Sequence, residues 1–80
     1  MEYEVLVQLK GEVLDPEGRA IQEALKTHGI NSVQSVVVSK RYLISLAEDA
    51  IDPEKLIHKI ASAYLSNPVS QSFSVARTNL

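Results

Sequence analysis

At 80 residues, with a formal net charge of −2 and no cysteine, the chain has room for one small domain spanning residues 1–80. The missing thiols exclude disulfides, thiolate metal sites and cysteine nucleophiles. Its 45% apolar and 22% charged residues are those of a folding chain, not a disordered one.

Tyr3, Val5, Val7 and Leu9 alternate with Glu4, Leu6, Gln8 and Lys10, which predicts a half-buried strand with Leu6 on its other face. Gly11 ends it. Asp15-Pro16-Glu17 reads as a helix start: a side-chain acceptor at the N-cap, a preset φ, then an acid in the first turn. Ala20, Ile21, Ala24, Leu25 and His28 continue at helical spacing, and Gly29 stops the helix. Gly18 stands at its third position, where glycine costs up to about 1 kcal/mol relative to alanine. Either the first turn tolerates it or a neighbouring backbone or partner comes close there. Residues 33–38 are rich in β-branched side chains and predict a more fully buried strand. A short polar break at Ser39-Lys40-Arg41 and renewed alternation over 42–46 predict a hairpin.

Asp52-Pro53-Glu54 repeats the helix start, with Leu56, Ile57, Ile60, Ala61 and Tyr64 as the apolar stripe. Asn67-Pro68 halts that helix. Val69, Gln71, Phe73 and Val75 alternate as a last strand, and Thr78-Asn79-Leu80 is expected to fray. The order β-α-β-β-α-β predicts an α+β fold of the ferredoxin-like, split βαβ kind: an antiparallel sheet with two helices on one face.

Chemistry-bearing residues are sparse. His28 sits in a last helical turn and His58 among Glu54, Lys55, Lys59 and Ser62, with no second ligand at i+4 from either, so no metal is expected. The acids Glu48, Asp49, Asp52 and Glu54 suit a helix N-terminus without a cation. No serine lies in a Gly-x-Ser-x-Gly elbow, and Ser70, Ser72 and Ser74 fit one solvated sheet face. Three isolated glycines make no phosphate-binding loop, so no nucleotide cofactor is expected. An acylphosphatase-like cradle after the first strand would need an arginine where Glu12 stands. RNA recognition on this fold uses aromatics beside Lys/Arg-Gly on central strands. Here Lys40-Arg41-Tyr42 lacks the glycine and second ring, and the negative charge offers phosphates no global attraction. No signal peptide or membrane-spanning run is present, which predicts a soluble protein of a reducing cytoplasm. Roughly 4,800 Å² of surface is expected for this mass, and one interface takes about 800 Å² per partner, so two partners leave little room for an enclosed pocket.

Taken together, Leu9-Lys10, the run Val13-Leu14-Asp15-Pro16-Glu17-Gly18-Arg19-Ala20, Ala24-Leu25, Gly29, the Val33-x-x-Val36-x-Val38 pattern, Lys40 and Leu65-Ser66-Asn67-Pro68-Val69 resemble the PurS family. This is the small S subunit of phosphoribosylformylglycinamidine synthase, whose first helix typically opens Val-Leu-Asp-Pro-x-Gly-x-Ala-Val-x-x-Ala-Leu. Ser39-Lys40 stands where the family tends to have Gly-Lys, and Ser70-Gln71 where it favours Ile-Glu. The resemblance implies a non-catalytic subunit that bridges the glutaminase and the ATP-dependent synthetase and assists ammonia transfer between them. It leaves the chain itself without a cofactor. Candidate contact points are the Leu14-Asp15-Pro16 turn with Gly18, the Lys40-Arg41 corner and the Asn67-Pro68-Val69 corner. Self-association as a homodimer or homotetramer is expected, because one sheet face carries no helix and pairing would bury Leu6. The rival reading is a ferredoxin-like regulatory domain binding a small metabolite at a dimer interface.

Overall fold

The computed structural model describes residues 1–11 and 15–78. Strand β1 (Glu2–Leu9) is the centre of a three-stranded antiparallel sheet, flanked by β2 (Ser39–Ser45) and β3 (Gln71–Thr78) in the order β2-β1-β3. Helix α1 (Pro16–Thr27) follows β1, and α2 (Pro53–Ile60), extended by a π-helical stretch over Ala61–Leu65, lies between β2 and β3. Thr78 is not frayed: it pairs with Glu2. Asn79 and Leu80, like Glu12, Val13 and Leu14, fall outside the described residues.

The alternation in β1 decides where the core lies. Tyr3, Val5 and Val7 are buried on one face and meet Ile57 and Ala61 of the second helix. Tyr42 and Ile44 of β2, Phe73 and Val75 of β3, and Ile60 and Leu65 close the rim of this cluster. The opposite face is open, with Leu6 and Leu43 exposed and an ion pair between Arg41 Nε and Glu4 Oε2 at 2.8 Å. Two members of the expected stripe do not join the core: Leu56 is at its margin, and Tyr64 is 76% exposed. The π-helical winding over 61–65 adds residues per turn and swings Tyr64 off the line of Ile57 and Ala61. Ser66 Oγ then donates to the Ala61 carbonyl at 2.8 Å and closes the helix end.

The two Asp-Pro-Glu starts differ. Asp15 has extended backbone and its Oδ1 accepts from Gly18 N at 2.9 Å, an N-cap bond as the sequence predicts. Asp52 instead takes a left-handed conformation (φ 49°, ψ 63°) and makes no side-chain cap, so the same tripeptide starts α2 without the bond. Gly29, at φ 85°, terminates the α1 region as expected.

The predicted hairpin is not formed. Ser39, Lys40 and Arg41 belong to β2, and residues 33–38 run on from its start as half-buried to exposed backbone paired with no strand, instead of folding back as a buried strand. Tight two-residue hairpin turns require positive φ, which favours Gly, Asn or Asp, and Ser39-Lys40 offers neither glycine nor asparagine. Forcing such residues left-handed costs roughly 1–2 kcal/mol each. Half-buried Val36, Val38, Tyr42 and Ile44 alternate with exposed Ser35, Val37, Ser39, Arg41, Leu43 and Ser45 through the junction. That is the pattern of one uninterrupted strand.

Helix α1 packs along residues 33–38 and not on the sheet, and contributes no side chain to the core. Gly18, the one buried residue of α1, lies directly against the Val36 carbonyl, where a methyl group would overlap the oxygen. The close-approach reading of Gly18 is the correct one. Gln22 Nε2 donates to the Gln34 carbonyl at 2.8 Å, and Val38 N donates to Asp15 Oδ2 at 2.7 Å. Residues 15–38 therefore form an arm beside the sheet and α2.

Candidate functional site

The antiparallel register fixes which corners share an end of the molecule. Gln8 lies opposite Ser39 on one side, and Leu9 opposite Gln71 on the other. The C-terminal end of β1, the start of β2 and the start of β3 are thus adjacent, so all three sequence-predicted corners lie at this end; the first two share a cleft, which Asn67, Pro68 and Val69 do not line. Asp15 and Pro16, Ser39 and Lys40, and Gln71 line one open cleft of about 320 Å³ floored by Val7 and Leu9. Leu14, the remaining residue of the first corner, lies outside the described residues.

Each corner is built by local bonds. Lys10 Nζ donates to the Pro68 carbonyl at 2.8 Å, and Lys10 N to the Ser70 carbonyl at 2.9 Å, tying the β1 end to the turn before β3. Within that turn Asn67 Oδ1 accepts from Val69 N at 3.0 Å, the Asx turn that asparagine favours. Gln71 Oε1 accepts from Asn67 N at 2.7 Å, so the Gln71 that departs from the family pattern has a structural task. Val69, expected to start the last strand, lies in this turn and is 82% exposed. Asp15 holds the first corner to the second: one carboxylate oxygen accepts from Val38 N, the other from Gly18 N. Those N–H donors, Val38 first, hold its carboxyl below the ordinary carboxylate range, since they favour the charged form. Of the second corner, Lys40 is exposed and lines the cleft, while Arg41 points to the open face and pairs with Glu4.

The other sequence candidates are scattered. His58 is exposed and its ring meets Phe73 edge-on, centroids 6.0 Å apart. Glu48 accepts from the Met1 amino group at 2.8 Å, and that contact lowers its pKa. No group of three or more His, Asp or Glu side chains placed to hold a metal occurs among the described residues. No helix among them is long and apolar enough to cross a membrane.

The cleft joins backbone corners, and the polar side chains lining it include Asp15, Glu17, Ser39 and Lys40. The family model for PurS, phosphoribosylformylglycinamidine (FGAM) synthase, matches residues 2–79. The chain belongs to the PurS family. The PurS subunit of Bacillus subtilis is 33% identical over 69 residues, covering 86% of this chain and 82% of that one. A B. subtilis PurS crystal structure superimposes with a TM-score of 0.86 at 31% identity, over 94% of each chain. PurS of Methanocaldococcus jannaschii, one of the subunits of formylglycinamide ribonucleotide amidotransferase in the purine biosynthetic pathway, gives a TM-score of 0.84 at 30% identity, covering 99% of this chain and 96% of that one. A chain in the PurLQS structure from Thermotoga maritima has the same fold, at 23% identity and a TM-score of 0.79 over 96% of this chain and 95% of that one. The ferredoxin-like α+β class read from the sequence stands, with the second of its four expected strands left unpaired in the single chain. As a PurS protein, the chain is a subunit of FGAM synthase, a purine-biosynthetic ligase, and not a catalyst alone.

Proposed function

We propose that this PurS chain acts in the cytoplasm as the bridge between the glutaminase and the ATP-dependent synthetase of FGAM synthase, and that it does so as a homo-oligomer. The observation that carries this reading is the family match over residues 2–79. The convergence of the Asp15-Pro16, Lys40 and Asn67-Pro68-Val69 corners on one end supports it. It offers a compact docking surface, to which Gly18 contributes by holding α1 against residues 33–38. The PurLQS structure from T. maritima contains a chain of the same fold, in keeping with a subunit that works inside a complex.

The physical reason for a bridge is the nature of ammonia. Only the unprotonated molecule is nucleophilic, and bulk water both protonates and dilutes it. Holding the two catalytic subunits together raises the effective concentration of the second reaction partner, and a sealed contact limits leakage. Reconstitution of glutaminase and synthetase with and without this chain tests the proposal. Glutamine-dependent turnover should need the chain, and turnover with added ammonium salt should need it far less. Equal glutamine-dependent rates without the chain would contradict the bridge. A saturable thermal shift of the isolated chain with an amino acid or nucleotide would instead favour the metabolite-binding reading.

A further inference from the structure

Strand β3 forms one margin of the sheet: its inner side is taken by β1, and no strand among the described residues lies on its outer side. Lys10 N donates to the Ser70 carbonyl, which fixes the alternation of the ladder. In β3 the even-numbered residues Ser72, Ser74 and Ala76 exchange bonds with Gln8, Leu6 and Glu4. The N–H and C=O groups of Phe73, Val75 and Arg77 therefore point away from β1. Among the described residues no other backbone group pairs with them. An uncovered edge on a strand of eight residues is a template for another strand.

A groove runs beside this edge. Ile51, Leu56 and Phe73 line an open cleft of about 640 Å³ between α2 and β3, together with Lys55 and Lys59. A second hollow of about 290 Å³ shares Ser62 and Phe73 with the first and carries the groove on to Lys10 and Pro68. Its apolar lining is open to solvent at the mouth, where Ile51 is 90% exposed. Its charge is the reverse of the chain's: Lys10, Lys55 and Lys59 face the single acid Asp52, a balance of +2 where the whole chain carries −2. Among the described residues neither Lys55 nor Lys59 has an ion-pair partner. A bare strand edge beside a helix, with pockets for alternate side chains, is the geometry by which a sheet captures an extended peptide.

We propose that an extended, acidic segment of one of the two catalytic subunits adds to the outer edge of β3 as a further strand. Its backbone pairs with Phe73, Val75 and Arg77, its groove-facing apolar side chains seat on Ile51, Leu56 and Phe73, and its carboxylates meet Lys55 and Lys59. The period of two along a strand gives the segment one such face, while its other side chains lie on the open sheet face beside Ser72 and Ser74. The charge of the groove selects the occupant. A second copy of this chain, paired edge to edge about a two-fold axis, would set the patch against itself and bring like charges from Lys55 and Lys59 together. The proposal rests on the bridge reading and gives it a second face: the corner cleft opens between β1 and β2, and this groove lies outside β3.

Residue-resolved amide exchange tests this, on the chain alone and on the complex reconstituted with glutaminase and synthetase. In the chain alone the Ser72 and Ser74 amides should be protected by β1 while those of Phe73 and Val75 exchange freely; in the complex Phe73 and Val75 should slow by about tenfold or more. Lys55→Glu combined with Lys59→Glu, at exposed positions of α2, should raise the chain concentration needed for half-maximal glutamine-dependent turnover by about tenfold. Lys55→Arg with Lys59→Arg, which keeps the charge, should behave as the unsubstituted chain. A complex that forms while Phe73 and Val75 still exchange freely would overturn the added strand and leave the bridge standing. Slowing of those amides in the chain alone, growing with its concentration, would overturn it in favour of a second copy. Assembly indifferent to the charge reversal would overturn the acidic segment. No complex under any condition would overturn both this proposal and the bridge.

Discussion

The body of the molecule, sheet plus α2, and the arm of residues 15–38 contain similar elements but achieve order differently. In the body, Tyr3, Val5 and Val7 bury against Ile57 and Ala61, so apolar area holds helix to sheet. In the arm, α1 buries no side chain in a core, and polar bonds from Asp15 and Gln22, with one backbone contact at Gly18, hold it to residues 33–38. Hydrogen bonds contribute only about 1 kcal/mol each net of competition with water. An arm held this way has geometry without much stability of its own.

Substitutions can break or sharpen that contrast. The largest effect is expected in the body: Ile57→Ala removes a fully buried side chain and should cost about 2–5 kcal/mol, read as a fall in the urea midpoint. Gly18→Ala is the corresponding blow to the arm. Its methyl meets the Val36 carbonyl, and an overpacking cost of about 1–3 kcal/mol outweighs the helix-propensity gain of up to about 1 kcal/mol. The readout is weakened association at fixed chain concentration. If Gly18→Ala leaves both association and stability unchanged, the close approach has no energetic weight.

Asp15→Ala should act in the same direction but more weakly, since it removes the acceptor for Gly18 N and Val38 N without adding a clash. It also carries a pH signature. Because those donors hold the carboxyl below its ordinary range, its stabilisation is complete above the unfolded-state value near pH 4 (about that of a free carboxylate) and fades as pH falls through the lower folded-state value. Asp15→Asn should flatten that acid limb of the stability profile. Smallest is Arg41→Gln, which removes an open-face ion pair with Glu4 and should change stability by about 0.2–1 kcal/mol, less at high salt.

Where the sequence was a good guide, one residue's neighbours decided its state. Alternation in β1, the Asp15 cap and the Gly29 stop are local signals, and each is found as read. The pattern behind the hairpin expected at Ser39-Lys40-Arg41, strand, polar residues, strand, is also that of one long strand crossing a solvated stretch. Only the absence of residues suited to positive φ separates the two. The valines of residues 33–38 predict a buried strand, yet Val37 is exposed and Val33, Val36 and Val38 are only half-buried, because the segment packs against α1 and not within the sheet. The exposure of Tyr64 followed from a change of helical winding that apolar spacing does not encode. The candidate corners were legible as loops, but their meeting at one end required the register of β1 with β2 and β3.

Amide hydrogen exchange of α1 against α2 and β1 tests the central contrast, between a body held by apolar burial and an arm held by polar bonds, most directly. The account predicts that α1 amides exchange by local opening, well before the slowest amides of α2 and β1, which exchange only with global unfolding. Equal protection of α1 and α2 would contradict it.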